Sequence, residues 1–155
     1  MIRSRSGIAL VGAMFALTVI GALVAGSFFA GWMEQQSGQN LFFATQAREA
    51  AEAGLARAAL DPATLASLSV GAPSYDLGVA AVGEGTTVHT SVGRLTSDLF
   101  LLRAQGFRLD AAGTTLATRT LGLLVRFESD DVDTTAAATL PRVVRVAERA
   151  WMELD

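Results

Sequence analysis

The sequence has no cysteine, no lysine, a single histidine and only three prolines in 155 residues. Without cysteine there is no disulfide framework, no thiolate metal site and no cysteine nucleophile. His89 stands in a stretch that reads as a strand, with no second histidine to complete a metal site or a catalytic pair, so its expected role is structural. Charge is also scarce: 17% of residues are charged and 51% are hydrophobic, against about 25% and about 45–50% in ordinary soluble domains. That balance points to a membrane-associated chain. The length allows one domain with a segment outside it.

The shortage of charge is concentrated at one end. Residues 8–32, "IALVGAMFALTVIGALVAGSFFAGW", carry no charge at all, and about 20 apolar residues suffice to cross a bilayer core. Arg3 and Arg5 precede the run. The positive-inside bias therefore places the start of the chain in the cytoplasm and everything after Trp32 outside, with Trp32 at the outer interface. All 12 basic residues are arginine; with two of them before the run, 10 remain against 15 carboxylates, a net of about −5. An acidic ectodomain lacks the basic footprint that nucleic-acid binding needs.

After Trp32 the text becomes polar and then alanine-rich, with no proline until Pro62. Alanine, glutamate, glutamine, arginine and leucine favour helix, and Arg48 with Glu52 forms an i,i+4 pair, while Gly38 and Gly54 each cost up to about 1 kcal/mol. One helix over residues 8–60 is expected, with residues 8–32 spanning a membrane. Leu41, Phe42, Ala44, Ala47, Ala51, Leu55, Ala58 and Ala59 recur at three- and four-residue steps and form an apolar stripe that requires a partner. Asp61 followed by Pro62 ends this helix and caps a short second one through about Leu68.

Residues 61–155 form the remaining domain. Residues 70–85 read as loop, with one short strand at about 77–82. "TTVHTSVGRL" (86–95), "DLFLLRAQGFRL" (98–109) and "TLATRTLGLLVRFE" (115–128) are rich in Thr, Val, Leu and Phe, and "DAAG" (110–113) is a hairpin turn signal; together they predict an antiparallel meander. Residues 142–154 fit a last strand better than a helix, because of the paired valines and because the sheet needs more strands.

Nothing in the text marks an enzyme. "ESDDVD" (128–133) gathers four carboxylates but lacks the spacing and glycine of a calcium loop, and its ordinary reading is a solvated acidic loop. "GVAAVGEG" is followed by no Lys-Ser/Thr pair and opens no helix, so it makes no phosphate cradle. No catalytic residue, metal ligand or cofactor-binding residue is expected.

Three processes use a basic start before an apolar segment. A secretory signal is cut after an apolar stretch of about 7–15 residues, here conceivably after Gly26, but the apolar text continues past that point. A plain signal anchor is not cut. The third fits more of the sequence: "RSRSG" followed by "IALVGAMFALTVIGALVAG" resembles the class III leader of type IV pilins and pseudopilins, a short basic leader ending in glycine. The resemblance implies cleavage of leader 1–7 between Gly7 and Ile8 by a prepilin peptidase, with methylation of the new N-terminus. Residues 7–58, ending in "TQAREAAEAGL", are similar to the N-terminal region of PilX-type minor pilins, and "DLFLLRAQGF" more weakly to the sheet strands of that group.

The resemblance implies an α+β, pilin-like fold, a long helix packed on a small antiparallel sheet. The implied partners are other pilins, the inner-membrane assembly platform and the membrane itself, and the implied location is the bacterial inner membrane and then a pilus at the cell surface. One position departs from the pattern: Gly12 stands where most pilins carry a glutamate at the fifth mature position, which suggests a minor or priming subunit. A glycine there is also what a plain membrane helix tolerates. Gly12 with Ala16, Gly21 with Ala25, and Gly26 with Ala30 each fit small-xxx-small, the spacing that lets helices approach closely in lipid; transmembrane helices are also glycine-rich in general. The competing expectation is a single-pass or signal-peptide-bearing periplasmic binding protein.

Overall fold

A computed structural model describes residues 6–128, 142–146 and 151–154. Residues 1–5, most of the expected leader, and the acidic stretch beyond Glu128 lie outside them. The elements are α1 (Ser6–Ala59), α2 (Pro62–Ser67), β1 (Tyr75–Gly83), β2 (Thr86–Arg94), β3 (Leu99–Leu109), β4 (Thr115–Glu128), β5 (Arg142–Arg145) and β6 (Trp151–Glu153). The architecture is α+β. By packing, the chain divides at Leu41/Phe42 into two units, the first holding the apolar run and the second everything from Phe42 onward.

In the second unit the strands form one antiparallel sheet in the order β1-β2-β3-β4-β5, with β6 also paired to β4. The β3–β4 hairpin closes as its turn residues predict. Asp110 Oδ1 accepts from the N–H groups of Ala112 (2.9 Å) and Thr114 (2.7 Å), and Gly113 takes a φ of 83° that glycine adopts without strain. Between β2 and β3, the Arg94 guanidinium donates to the carbonyls of Leu68 (2.7 Å), Ala66 (3.3 Å) and Ser97, and lies 5.3 Å from the Phe100 ring centroid. It fastens the C-terminal end of α2 to the sheet, satisfying carbonyls the helix leaves unpaired.

The core lies between the sheet and the last turns of α1. Ala47, Ala50, Ala51, Gly54, Leu55 and Ala58 are buried, spaced at three- and four-residue steps so that they occupy one helix face. They meet Val88 and Val92 of β2, Phe100, Leu102 and Ala104 of β3, and Leu121, Leu123 and Val125 of β4, with Leu65 of α2 closing one end. Each large side chain buried here contributes about 1.5–3 kcal/mol. The inward positions of β3 read Phe100, Leu102, Ala104, Gly106, a falling series of sizes. In a close-packed interior that series means the gap between helix and sheet narrows along the strand. At its narrow end a Cβ on Gly106 would fall on the carbonyl oxygen of Ala47 and 2.7 Å from the nitrogen of Ala51.

Three expectations need correction. Residues 70–85 contain a full nine-residue strand, β1, in place of a loop with one short strand; pairing with β2 holds alanine and glycine in a conformation they do not favour alone. The last segment is two short strands on the same edge of β4, with residues 147–150 outside the description. The expected stripe on α1 is shifted: Leu41 and Phe42 are 70% and 57% exposed, while Ala50 and Gly54 are buried. The packed face is chosen by backbone proximity, which favours the smallest residues over the largest. The Arg48–Glu52 pair forms, at 3.0 Å on the exposed side.

Gly106→Ala should therefore destabilise the domain by about 3 kcal/mol, because the added methyl meets backbone that cannot move aside independently. Gly93→Ala, where a Cβ would meet nothing within 4 Å, should stay within about 0.5 kcal/mol of the parent. Denaturant unfolding of the two variants, followed by circular dichroism, checks the contrast.

Candidate functional site

Two regions carry chemistry that the core does not use. The first is the apolar stretch of α1. From Ala9 to Asn40 every residue is exposed within its own unit, Phe28 to 77% and Trp32 to 59%. The helix is long and apolar enough to cross a membrane, by length and composition. Within residues 9–32 the two hydroxyls are satisfied internally, Thr18 Oγ1 donating to the Met14 carbonyl at 2.8 Å and Ser27 Oγ to the Leu23 carbonyl at 3.0 Å. This leaves no unpaired hydroxyl in the run, as a hydrocarbon environment demands.

Gly7 and Ile8, the expected processing residues, belong to the first turns of α1. Ala16, Ala25 and Ala30 are exposed, and a Cβ built on Gly12, Gly21 or Gly26 would meet nothing within 4 Å. At roughly 100° per residue, Gly12, Ala16, Gly26 and Ala30 fall on one face of the helix. Gly21 and Ala25 fall on the opposite face. The six small residues thus make two separate surfaces for close approach, a division that the spacing of the pairs alone does not announce.

The second region is a groove of about 590 Å³ in the sheet-bearing unit, bounded by the end of α1, by α2, and by β1 and β2. Its walls are mainly apolar, including Leu65, Leu77, Val79 and Val88. Gly54 forms part of it: a Cβ there would come within 2.6 Å of Val88 Cγ2 and 2.9 Å of Thr90 Oγ1. Four polar side chains line it, Arg57, Asp61, Thr64 and Thr90. Asp61 is committed to capping α2, Oδ1 accepting from the Thr64 N–H (3.2 Å) and Oδ2 from the Thr64 hydroxyl (2.6 Å). These bonds, the hydroxyl first, hold its carboxyl below the ordinary carboxylate range. Arg57 and Thr90 are uncommitted: neither side chain has a hydrogen bond or ion pair among the described residues, and Thr90 is only 6% exposed.

Beside the groove, Asp76 Oδ1 accepts from the Gly78 N–H at 2.7 Å and lies 2.8 Å from His89 Nε2. The Gly78 N–H chiefly, and then His89, hold the Asp76 carboxyl below its ordinary value. His89 thus braces the irregular start of β1 against β2. Among the described residues no three His, Asp or Glu side chains converge as metal ligands would. Among the groove residues the sequence marks Gly54 as helix-weakening, Ala58 as part of the apolar stripe, Asp61 as a cap and 77–82 as a short strand, but none as part of a site; Arg57 and Thr90 come to line one groove only when α1 is laid on β2. Comparison with protein-family models, curated proteins and solved structures found no match.

Asp76→Ala should lower the unfolding midpoint at neutral pH. A carboxyl held low in the folded state stabilises above its unfolded value of about 3.9, and that stabilisation is lost as pH falls through the lower folded value. The gap between variant and parent should therefore close in acid, read as thermal midpoints across a pH series.

Proposed function

We propose that the chain is a structural subunit of a type IV pilus or related filament, a minor pilin or pseudopilin that assembles through its N-terminal helix. The observation that carries this reading is the construction of α1. One helix joins an uncharged, exposed stretch to an alanine face packed on an antiparallel sheet. An apolar helix of that kind needs lipid, or other helices, around it. The basic residues before Gly7 and the glycine itself support removal of a short leader ahead of Ile8.

In this reading α1 first anchors the protein in the inner membrane with the sheet-bearing domain outside. It then leaves lipid for a bundle of similar helices, with the small residues on its two faces letting neighbours approach. Gly12 spares the helix a carboxylate that would cost roughly 2.5–3.5 kcal/mol at membrane depth unless paired. A subunit without that charge suits a minor or priming position better than the repeating one. Its partners are other pilins, the prepilin peptidase and the assembly platform; its net negative ectodomain suits none of the usual modes of nucleic-acid binding.

A second reading, a single-pass anchored protein whose outer domain binds a ligand, is favoured by the groove beside β1. Mass spectrometry of the mature N-terminus separates the two. A methylated Ile8 is the expected result, together with loss of processing in Gly7→Val. An intact Met1, or a start near Ser27, would overturn the filament reading.

A further inference from the structure

β1 is the outermost strand of the sheet, and among the described residues no strand pairs with its free side. Such an edge presents unpaired N–H and C=O groups and is ordinarily blunted by lysine, proline or charge. Residues 77–82 hold none of these; Val79 is 70% exposed and Leu77 and Val82 are exposed as well. Register shifts occur at Asp76/Gly78 and Ala81/Gly83, so the regular part of the edge runs over Gly78, Val79, Ala80 and Ala81. It is short but lies directly along the groove.

The groove adds two features to the edge. The Thr90 hydroxyl lines the groove and makes no hydrogen bond among the described residues, so a ligand there can bond to it. The Arg57 guanidinium lines the same groove and makes no hydrogen bond or ion pair among the described residues, while the Asp61 carboxylate, still charged, is turned to capping α2. An open strand edge flanked by a helix, with an apolar trough between them, is the arrangement that captures extended peptides by strand addition: the backbone supplies the ladder and alternate side chains enter the trough.

We propose that this site binds an extended segment of a partner protein, apolar at alternate positions and bearing a carboxylate that pairs with Arg57. The segment adds to the free edge of β1 and sets its apolar side chains between β1 and the end of α1. Charge complementarity with Arg57 selects an acidic segment over a basic one.

The test uses the full chain in detergent micelles and a fluorescein-labelled synthetic peptide of alternating valine and threonine with a glutamate at each end. A lysine-ended counterpart and one with a central proline serve as comparisons. Fluorescence anisotropy should give saturable binding of the glutamate peptide, at least about tenfold weaker binding of the lysine peptide, and none of the proline peptide. Arg57→Glu should invert the preference. Val79→Lys, at an exposed position that leaves the fold intact, should weaken both. Hydrogen exchange across residues 77–82 should slow when the glutamate peptide is bound. Absence of saturable binding would overturn the proposal, as would binding indifferent to Arg57→Glu. Slowed exchange that depends on protein concentration alone would overturn it too, by making a second copy the occupant.

Discussion

The approach of α1 to the sheet at Gly54 and Gly106 is the contact on which the rest of the domain depends. At both positions a single methyl group would strike the opposing element, at Val88 and Thr90 in one case and at the helix backbone itself in the other. Alanine fills the positions around them because nothing larger fits at that separation, and the large side chains gather where the gap is wider, around Phe100, Leu102, Leu123 and Leu55. The stability of the domain therefore rests on matching a tapered core to a tapered gap, and the same close approach sets the Thr90 hydroxyl and Arg57 at the wall of the groove.

The same helix carries two kinds of surface. Residues 42–59 bury small side chains against β2 and β3, whereas residues 9–32 carry large apolar side chains that nothing in their own unit covers. A face of alanines gives close packing with little area per residue; a girdle of Leu, Val, Phe and Ile gives area without a fixed partner. The second composition suits lipid and, in the proposed filament, neighbouring helices. The proposed subunit needs both in sequence, since a domain carried by a helix must be locked to that helix before the helix changes its surroundings.

Much of the fold was legible because its signals are local. Strands β2, β3 and β4 announce themselves through Thr, Val, Leu and Phe, the Asp110–Gly113 turn through its residue types, and the end of α1 through Asp61 and Pro62. What escaped is what depends on contacts distant in sequence. β1 is written in Gly, Ala and Val and becomes a strand only beside β2. Gly54 counts as a defect in an isolated helix, yet the packed structure requires it. Leu41 and Phe42 fall on the apolar stripe by spacing, but the packed face begins one turn later, where the chain turns small. The groove has no sequence signature, since Arg57, Leu77 and Thr90 belong to three elements and each is unremarkable alone.

Membrane residence of the apolar part of α1, with the sheet-bearing domain on its outer side, is what the proposed function requires first. The natural absence of cysteine makes this directly measurable. A single cysteine at Ala112, exposed in the β3–β4 turn, can be probed in spheroplasts with a membrane-impermeant maleimide. Intact spheroplasts should label, with the labelled protein remaining in the carbonate-washed membrane pellet. Labelling only after lysis, or release of the protein by carbonate, would contradict it.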